Sequence, residues 1–185
     1  HHFTPEELLA LRQTVGALLV DESFIDPTPE RSLAPQLGDT GLYVLRSFGK
    51  FYGLAGLRLG FLLGNASEIE AVRQLSGPWP ISGPAIEIGM RALADRDWAR
   101  TTTVRLAQDC ARLDRAARSA GWAFEGGSAL FRLYSCPNAA QAQEQLARQQ
   151  IWSRIFPYSR RWLRLGLPPA KSWDRLAAAL QGLHI

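Results

Sequence analysis

LYVLRSFGKFYGLAGLRLGFLLG, Leu42 to Gly64, is the stretch on which the reading of the chain turns. An apolar run gives way within it to a glycine-rich one, and Lys50 stands just past the change. Such a run reads as a buried strand, and a side chain just beyond its end sits at the rim of a sheet, where sites gather. Lys50 and Lys171 are the only two lysines in a chain with nineteen arginines. Arginine serves as well or better for most ion pairs. It cannot lose its proton and attack a carbonyl, because its pKa stays above about 12, whereas that of lysine shifts readily on burial. The stretch therefore predicts a lysine that forms a Schiff base.

The neighbours of Lys50 narrow the chemistry. Ser47 precedes it and Arg58 follows, with Gly49, Gly53, Gly56 and Gly60 among them. Glycines let backbone approach a ligand closely. A hydroxyl and a guanidinium beside a lysine suit a phosphate dianion, which arginine binds in a bidentate, charge-assisted manner. A cofactor carrying both an aldehyde and a phosphate, pyridoxal 5'-phosphate, would engage all three. Its pyridine nitrogen needs a carboxylate to stay protonated, because the cationic ring is the electron sink. Asp21, at the end of the apolar run Leu18-Leu19-Val20, is the candidate. A P-loop is excluded, since Val44 stands where its first glycine belongs and Phe51 where Ser or Thr should bind magnesium.

The totals fit a globular protein. The 185 residues are 46% hydrophobic and 21% charged, with a net charge of +4. That length can bury a substantial core in one domain or one and a half. The arginines are scattered and accompanied by acids, so the positive balance marks solvated faces and not a nucleic-acid footprint. Cys110 and Cys136 show no metal-ligand spacing and form no disulfide framework, which implies a reducing cytoplasm and no metal. The apolar run Leu54 to Leu63 is broken by Arg58, so no membrane span is expected. HHFTPEELL lacks the basic start and apolar core of a signal peptide, and His1 and His2 receive no role.

Thr4-Pro5-Glu6-Glu7 predicts a capped helix, with Leu8, Leu11, Val15 and Leu18 at helical spacing. Buried strands are expected at Leu18 to Val20, Leu42 to Leu45 and Leu57 to Leu63, with a proline-bearing loop from Pro27 to Asp39. Helix, buried strand and terminal acid is the grammar of an α/β sheet. Gly77 to Pro84, with three prolines, reads as a rigid connector and a domain boundary. Beyond it helices are expected at Ala85 to Ala94 and Asp97 to Ala120, the second capped by Gly121. A strand follows (Ser128 to Tyr134), then a helix (Ala139 to Gln149), two strands (Ile151 to Ile155 and Trp162 to Leu167) and a closing helix (Ser172 to Leu183). The pattern predicts a smaller α+β unit at residues 81–185 packed on an α/β unit at 1–80.

SFGKFYGLAGLRLG, Ser47 to Gly60, resembles the cofactor-lysine signature of the class I/II aminotransferases of fold type I. Asp21-Glu22-Ser23-Phe24 is similar to that family's Asp-Glu-Ala-Tyr strand end. Ile151 to Pro168, with Arg154 and WLRLGLP around Arg164, resembles its C-terminal substrate-carboxylate stretch. GPWPISGPA, Gly77 to Ala85, points more narrowly to the threonine-phosphate decarboxylase-like branch of cobalamin biosynthesis, among the histidinol-phosphate aminotransferase relatives. The resemblance implies the C-terminal part of a large, mostly parallel-sheet cofactor domain followed by a small α+β domain. It implies Lys50 as the Schiff-base lysine and proton carrier, Asp21 on the pyridine nitrogen, Ser47 and Arg58 on the phosphate, and Arg164, assisted by Arg154, on the substrate.

The same resemblance implies loss of CO2 from L-threonine O-3-phosphate to give (R)-1-amino-2-propanol O-2-phosphate. It also implies a cytoplasmic homodimer acting on a small amino-acid phosphate, with no nucleic-acid or membrane partner. Aminotransfer from histidinol phosphate would use the same motifs, and a non-catalytic domain keeping the fold is a further alternative. Phe24 departs from the family, whose tyrosine there donates to the cofactor's ring oxygen. Family members carry a considerable portion ahead of Thr4, so the chain is expected to be a fragment that binds cofactor poorly alone.

Overall fold

The computed structural model describes residues 3–183, so His1 and His2 lie outside the described residues. Two compact units make it up, the first ending at Ala99 and the second beginning at Arg100. The division falls inside a helix, further along the chain than the proline-bearing connector.

The first unit opens with α1 (Pro5–Arg12), and the expected capping box is present. Thr4 N–H donates to Glu7 Oε2 at 2.7 Å, and Glu7 N–H donates to Thr4 Oγ1 at 3.2 Å. The helix stops at Arg12, short of the predicted stripe: Leu8 and Leu9 pack inward, while Leu11 and Val15 stay exposed. Strands β1 (Leu18–Asp21) and β2 (Leu42–Ser47) pair in parallel, with Leu18 opposite Leu42 and Asp21 opposite Leu45. Strand β3 (Gly60–Leu63) returns antiparallel on the other side of β2. Leu33, Leu42 and Val44 form the core beneath this sheet, joined by Val20, Leu37 and Leu63.

The sequence places the start of β3 at Leu57; the chain instead makes a 3-10 turn over Ala55–Leu57 and a left-handed step at Arg58 first. Helix α2 (Ala66–Leu75) is absent from the sequence reading. Asn65 caps it, and Glu68 in its first turn accepts the Gly41 N–H at 3.0 Å. Ser82 caps α3 (Gly83–Ala94), so the rigid connector ends as a helix start.

Helix α4 (Arg96–Ser119) leads into the second unit, where β4 (Ala123–Ser128), β5 (Phe131–Ser135), β6 (Arg154–Phe156) and β7 (Ser159–Gly166) form an antiparallel sheet in the order β4-β5-β7-β6. Helices α5 (Ala139–Arg148) and α6 (Trp173–Gln181) complete it. Leu113 and Ala117 of α4, Leu146 of α5, Leu163 and Leu165 of β7 and Leu176 of α6 share one core. The single strand expected from Ser128 is a hairpin, whose first arm AFEGGS carries little strand propensity of its own. Gly127 makes the hairpin possible: at φ +154° a Cβ would lie 2.5 Å from the Phe131 carbonyl oxygen.

Asp114 ties α4 to this sheet. It accepts from Arg132 at 3.0 and 2.6 Å and from the Tyr134 hydroxyl at 2.6 Å. Burial alone would raise its carboxyl, but the Arg132 and Tyr134 hydrogen bonds outweigh burial and hold it below the usual carboxylate range. Burial and the same carboxylate push the Tyr134 phenol well above its ordinary value.

Both helices flanking the hairpin end in Schellman turns. Gly121, at φ +78°, lets Trp122 N–H reach Ala117 O, as its predicted capping role requires. Gln150 does the same after α5 at φ +58°, with Ile151 N–H on Leu146 O at 2.9 Å. A residue with a Cβ is strained there by about 1–2 kcal/mol. Gln150→Gly should therefore stabilise the protein by about 0.5–1 kcal/mol in urea titrations, and Gln150→Ala, which keeps the Cβ, should not. Asp114→Asn should cost about 1.5–3 kcal/mol near neutrality. A lowered folded pKa gives stability that is present above the unfolded value and lost as pH falls, so the gap between the two proteins should narrow below pH ~4.

Candidate active site

Because β1 and β2 run parallel, their carboxyl ends finish at one edge of the sheet. Asp21 is the last residue of β1 and Ser47 the last of β2. Strand β3 runs back from that edge, its first residue Gly60 opposite Ser47, so Arg58 is delivered there as well. Lys50 stands in the turn that follows β2. Asp21, Ser47, Lys50 and Arg58, spread over 38 positions of the chain, meet at one sheet edge.

Buried aromatics on either side fix the Lys50 turn. Phe48 is 2% exposed and stacks on Tyr52 with ring centroids 4.5 Å apart. Phe51 is 5% exposed and meets Trp98 edge-on at 5.3 Å. Burial, with Asp26 nearby, pushes the Tyr52 phenol above its ordinary value. With Phe48 and Phe51 turned inward, Lys50 is left exposed between them. Its Nζ lies 5.6 Å from the centre of the Phe24 ring, and no carboxylate pairs with it among the described residues. Phe24 offers a ring face and no hydroxyl.

The other members are held by local backbone. One Asp21 oxygen accepts from the Ser23 backbone N–H at 2.9 Å and from the Ser23 hydroxyl. Ser47 Oγ accepts from Gly49 N–H at 3.1 Å, which closes the turn toward Lys50. Arg58 sits at φ 55°, ψ 37°, and its Nη1 donates to Ala55 O at 3.1 Å. A left-handed arginine is costly, and such outliers persist where the surroundings impose them. Here the left-handed step leaves the Arg58 guanidinium exposed beside the turn that leads into β3.

Behind these residues lies a network the sequence reading missed. Glu22 is 5% exposed and accepts from Ser32 Oγ and from Leu33 N–H, each at 2.6 Å. Arg46 joins it at 3.7 Å and binds Asp26 at 2.6 Å. Glu22 N–H also continues the parallel ladder onto Leu45 O at 2.9 Å. The available signal was the Asp21-Glu22 pair itself: strand alternation sends one acid outward and the next inward, and a buried glutamate needs partners.

In the second unit Arg154 of β6 stands directly opposite Arg164 of β7. Both line a cleft of about 350 Å³ with Gln143, Trp152 and Ser153. Neither has a carboxylate partner among the described residues. Each instead lies over an aromatic ring, Arg154 over Phe156 at 5.4 Å and Arg164 over Phe131 at 4.9 Å. Like charges directly opposite on a sheet destabilise it, and an anion bound between them would offset that cost. Among the described residues no group of His, Cys, Asp and Glu could hold a metal ion.

The family model for aminotransferases of class I and II matches residues 2–183. A threonine-phosphate decarboxylase of Pseudomonas aeruginosa is 46% identical over 187 residues, spanning 97% of this chain and 56% of that protein. Another, from a Sinorhizobium species, is 42% identical over 98% of this chain and 56% of its own. The chain thus spans little more than half the length of these curated relatives. Among solved structures, histidinol-phosphate aminotransferase from Sinorhizobium meliloti in complex with pyridoxal-5'-phosphate matches with a TM-score of 0.88 at 26% identity. That match covers 97% of this chain and 52% of the other.

Glu22 carries a prediction of its own. Glu22→Ala leaves Ser32 Oγ and Leu33 N–H without their acceptor and should destabilise the protein by about 1–3 kcal/mol in urea. Glu30→Ala, at an exposed position eight residues on, should stay within about 0.5 kcal/mol of the parent.

Proposed function

The chain belongs to the class I and II aminotransferase family, and we propose that it carries the cofactor lysine and the carboxylate-binding arm of a pyridoxal 5'-phosphate-dependent threonine-phosphate decarboxylase. What supports this above all is the meeting of Lys50, Asp21, Ser47 and Arg58 at one strand-end edge. Their chemistry fits the cofactor: an amine with no acid partner for its aldehyde, a hydroxyl and a guanidinium for its phosphate, and a carboxylate for its ring nitrogen. The substrate follows from the names of the relatives at 46% and 42% identity. When bound, the cofactor supplies an aldehyde that captures amines and a cationic ring that takes up the electrons released at the substrate Cα.

The chain's own groups then have distinct tasks. Lys50 Nζ holds the proton delivered to Cα once CO2 has left, and the electron pair of the broken Cα–C bond accepts that proton. Asp21 would accept from the protonated ring nitrogen, while Ser47 and Arg58 would hold the phosphate. Arg164 receives the substrate carboxylate, and Arg154 the carboxylate or the substrate phosphate. The two arginines would fix the tilt of the substrate and so decide which bond at its Cα is broken. Histidinol-phosphate aminotransfer is the second reading, favoured by the structural match to that enzyme. A non-catalytic domain would have no use for an exposed lysine flanked by a phosphate clamp.

The assembly we infer is a cytoplasmic homodimer acting on an amino-acid phosphate, without nucleic-acid or membrane partners, to which this chain contributes the C-terminal part of a large cofactor domain over 1–80 and a small domain over 81–185. Cys110 and Cys136 are free and buried, which suits a reducing compartment. Among the described residues no helix is long and apolar enough to cross a membrane.

Two measurements on the full-length protein test the proposal. Incubation with pyridoxal phosphate should give a visible absorption band that borohydride removes and that Lys50→Ala lacks, with activity falling by roughly two to four orders of magnitude. A band unaffected by that substitution would defeat the lysine assignment. L-threonine O-3-phosphate should release CO2; amino transfer from histidinol phosphate without any such release would reverse the choice of reaction.

A further inference from the structure

We propose that Phe131 is a positioning residue for Arg164, its ring serving as the shelf that holds the guanidinium at the mouth of the cleft. The proposal rests on the reading of Arg164 as the substrate-carboxylate receptor. The sheet register supplies the geometry. Leu133 stands opposite Arg164 and Phe131 opposite Gly166, so Phe131 is the diagonal neighbour of Arg164 on the same face. Gly166 brings no side chain, and a Cβ there would meet nothing within 4 Å, so the space across from the ring is open. The Arg164 guanidinium lies over the Phe131 ring, 4.9 Å from its centre.

The shelf answers a specific difficulty. Arg164 faces Arg154 across the ladder, and no acid among the described residues holds either of them. Repulsion would swing two free guanidinia apart and leave them disordered before a ligand arrived. The face of an aromatic ring attracts a cation without neutralising it. Arg164 is thus restrained yet keeps its N–H donors for a carboxylate, whereas an aspartate in place of Phe131 would occupy them. Preorganising a flexible side chain lowers the ordering cost of binding. Phe156 stands under Arg154 in the same way, at 5.4 Å.

A packing role for the ring that does not involve Arg164 is the alternative, and calorimetric binding separates the two. Borohydride-reduced full-length protein cannot turn over, so the dissociation constant of L-threonine O-3-phosphate can be measured at equilibrium. Phe131→Leu should weaken binding roughly three- to tenfold, and Phe131→Tyr, which keeps the ring, should bind like the parent. In an Arg164→Ala background Phe131→Leu should add nothing further, because it acts through Arg164. Weakened binding by Arg164→Ala with none by Phe131→Leu would overturn the shelf alone, as would additive losses in the double variant. Normal binding by Arg164→Ala would overturn the receptor role of Arg164 and the shelf with it.

Discussion

The parallel pairing of β1 with β2 is the constraint on which the first unit depends. It stacks Asp21 beside Leu45 and ends both strands at one edge, so an acid and a hydroxyl distant in sequence arrive together. A register slip of one residue would exchange every inward side chain for an outward one. The cost would be doubled here, because Asp21 and Glu22 are adjacent acids with opposite duties. Asp21 faces out at the strand-end edge, and Glu22 turns in to hold Ser32 and Leu33. Alternation lets one short strand supply a site residue and the brace behind it.

Charge is handled differently in the two units. Around Glu22, Arg46 and Asp26 the charges are paired and partly buried, and the pairing holds loop to strand. Arg154 and Arg164 face each other, each over an aromatic ring and with no carboxylate partner among the described residues. The first arrangement is closed by its own ion pairs, and the second would be balanced by an anion, which is the role proposed for it.

Much of this was legible in the sequence. The capping box at Thr4, the apolar runs of β1 and β2, and the glycine-rich turn around Lys50 are local signals, and the structure contains each of them. The family expected from Ser47 to Gly60 is the family matched. Helix α2 escaped although Asn65 is a good cap and Glu68 stands in its first turn; none of its residues is buried. Strand β4 escaped because AFEGGS is held by its partner and not by its own propensity. The left-handed Arg58 and the Glu22 brace depend on contacts between distant residues, which periodicity does not encode.

Lys50 is proposed as the residue that bonds to the cofactor, and the scarcity of lysine, two in 185 residues, makes the bond easy to place. Reduction of the cofactor-loaded full-length protein with borohydride, followed by proteolysis and peptide mass spectrometry, should place a pyridoxyl adduct on the peptide containing Lys50. An adduct on Lys171 or on any other lysine, with Lys50 unmodified, would contradict that assignment.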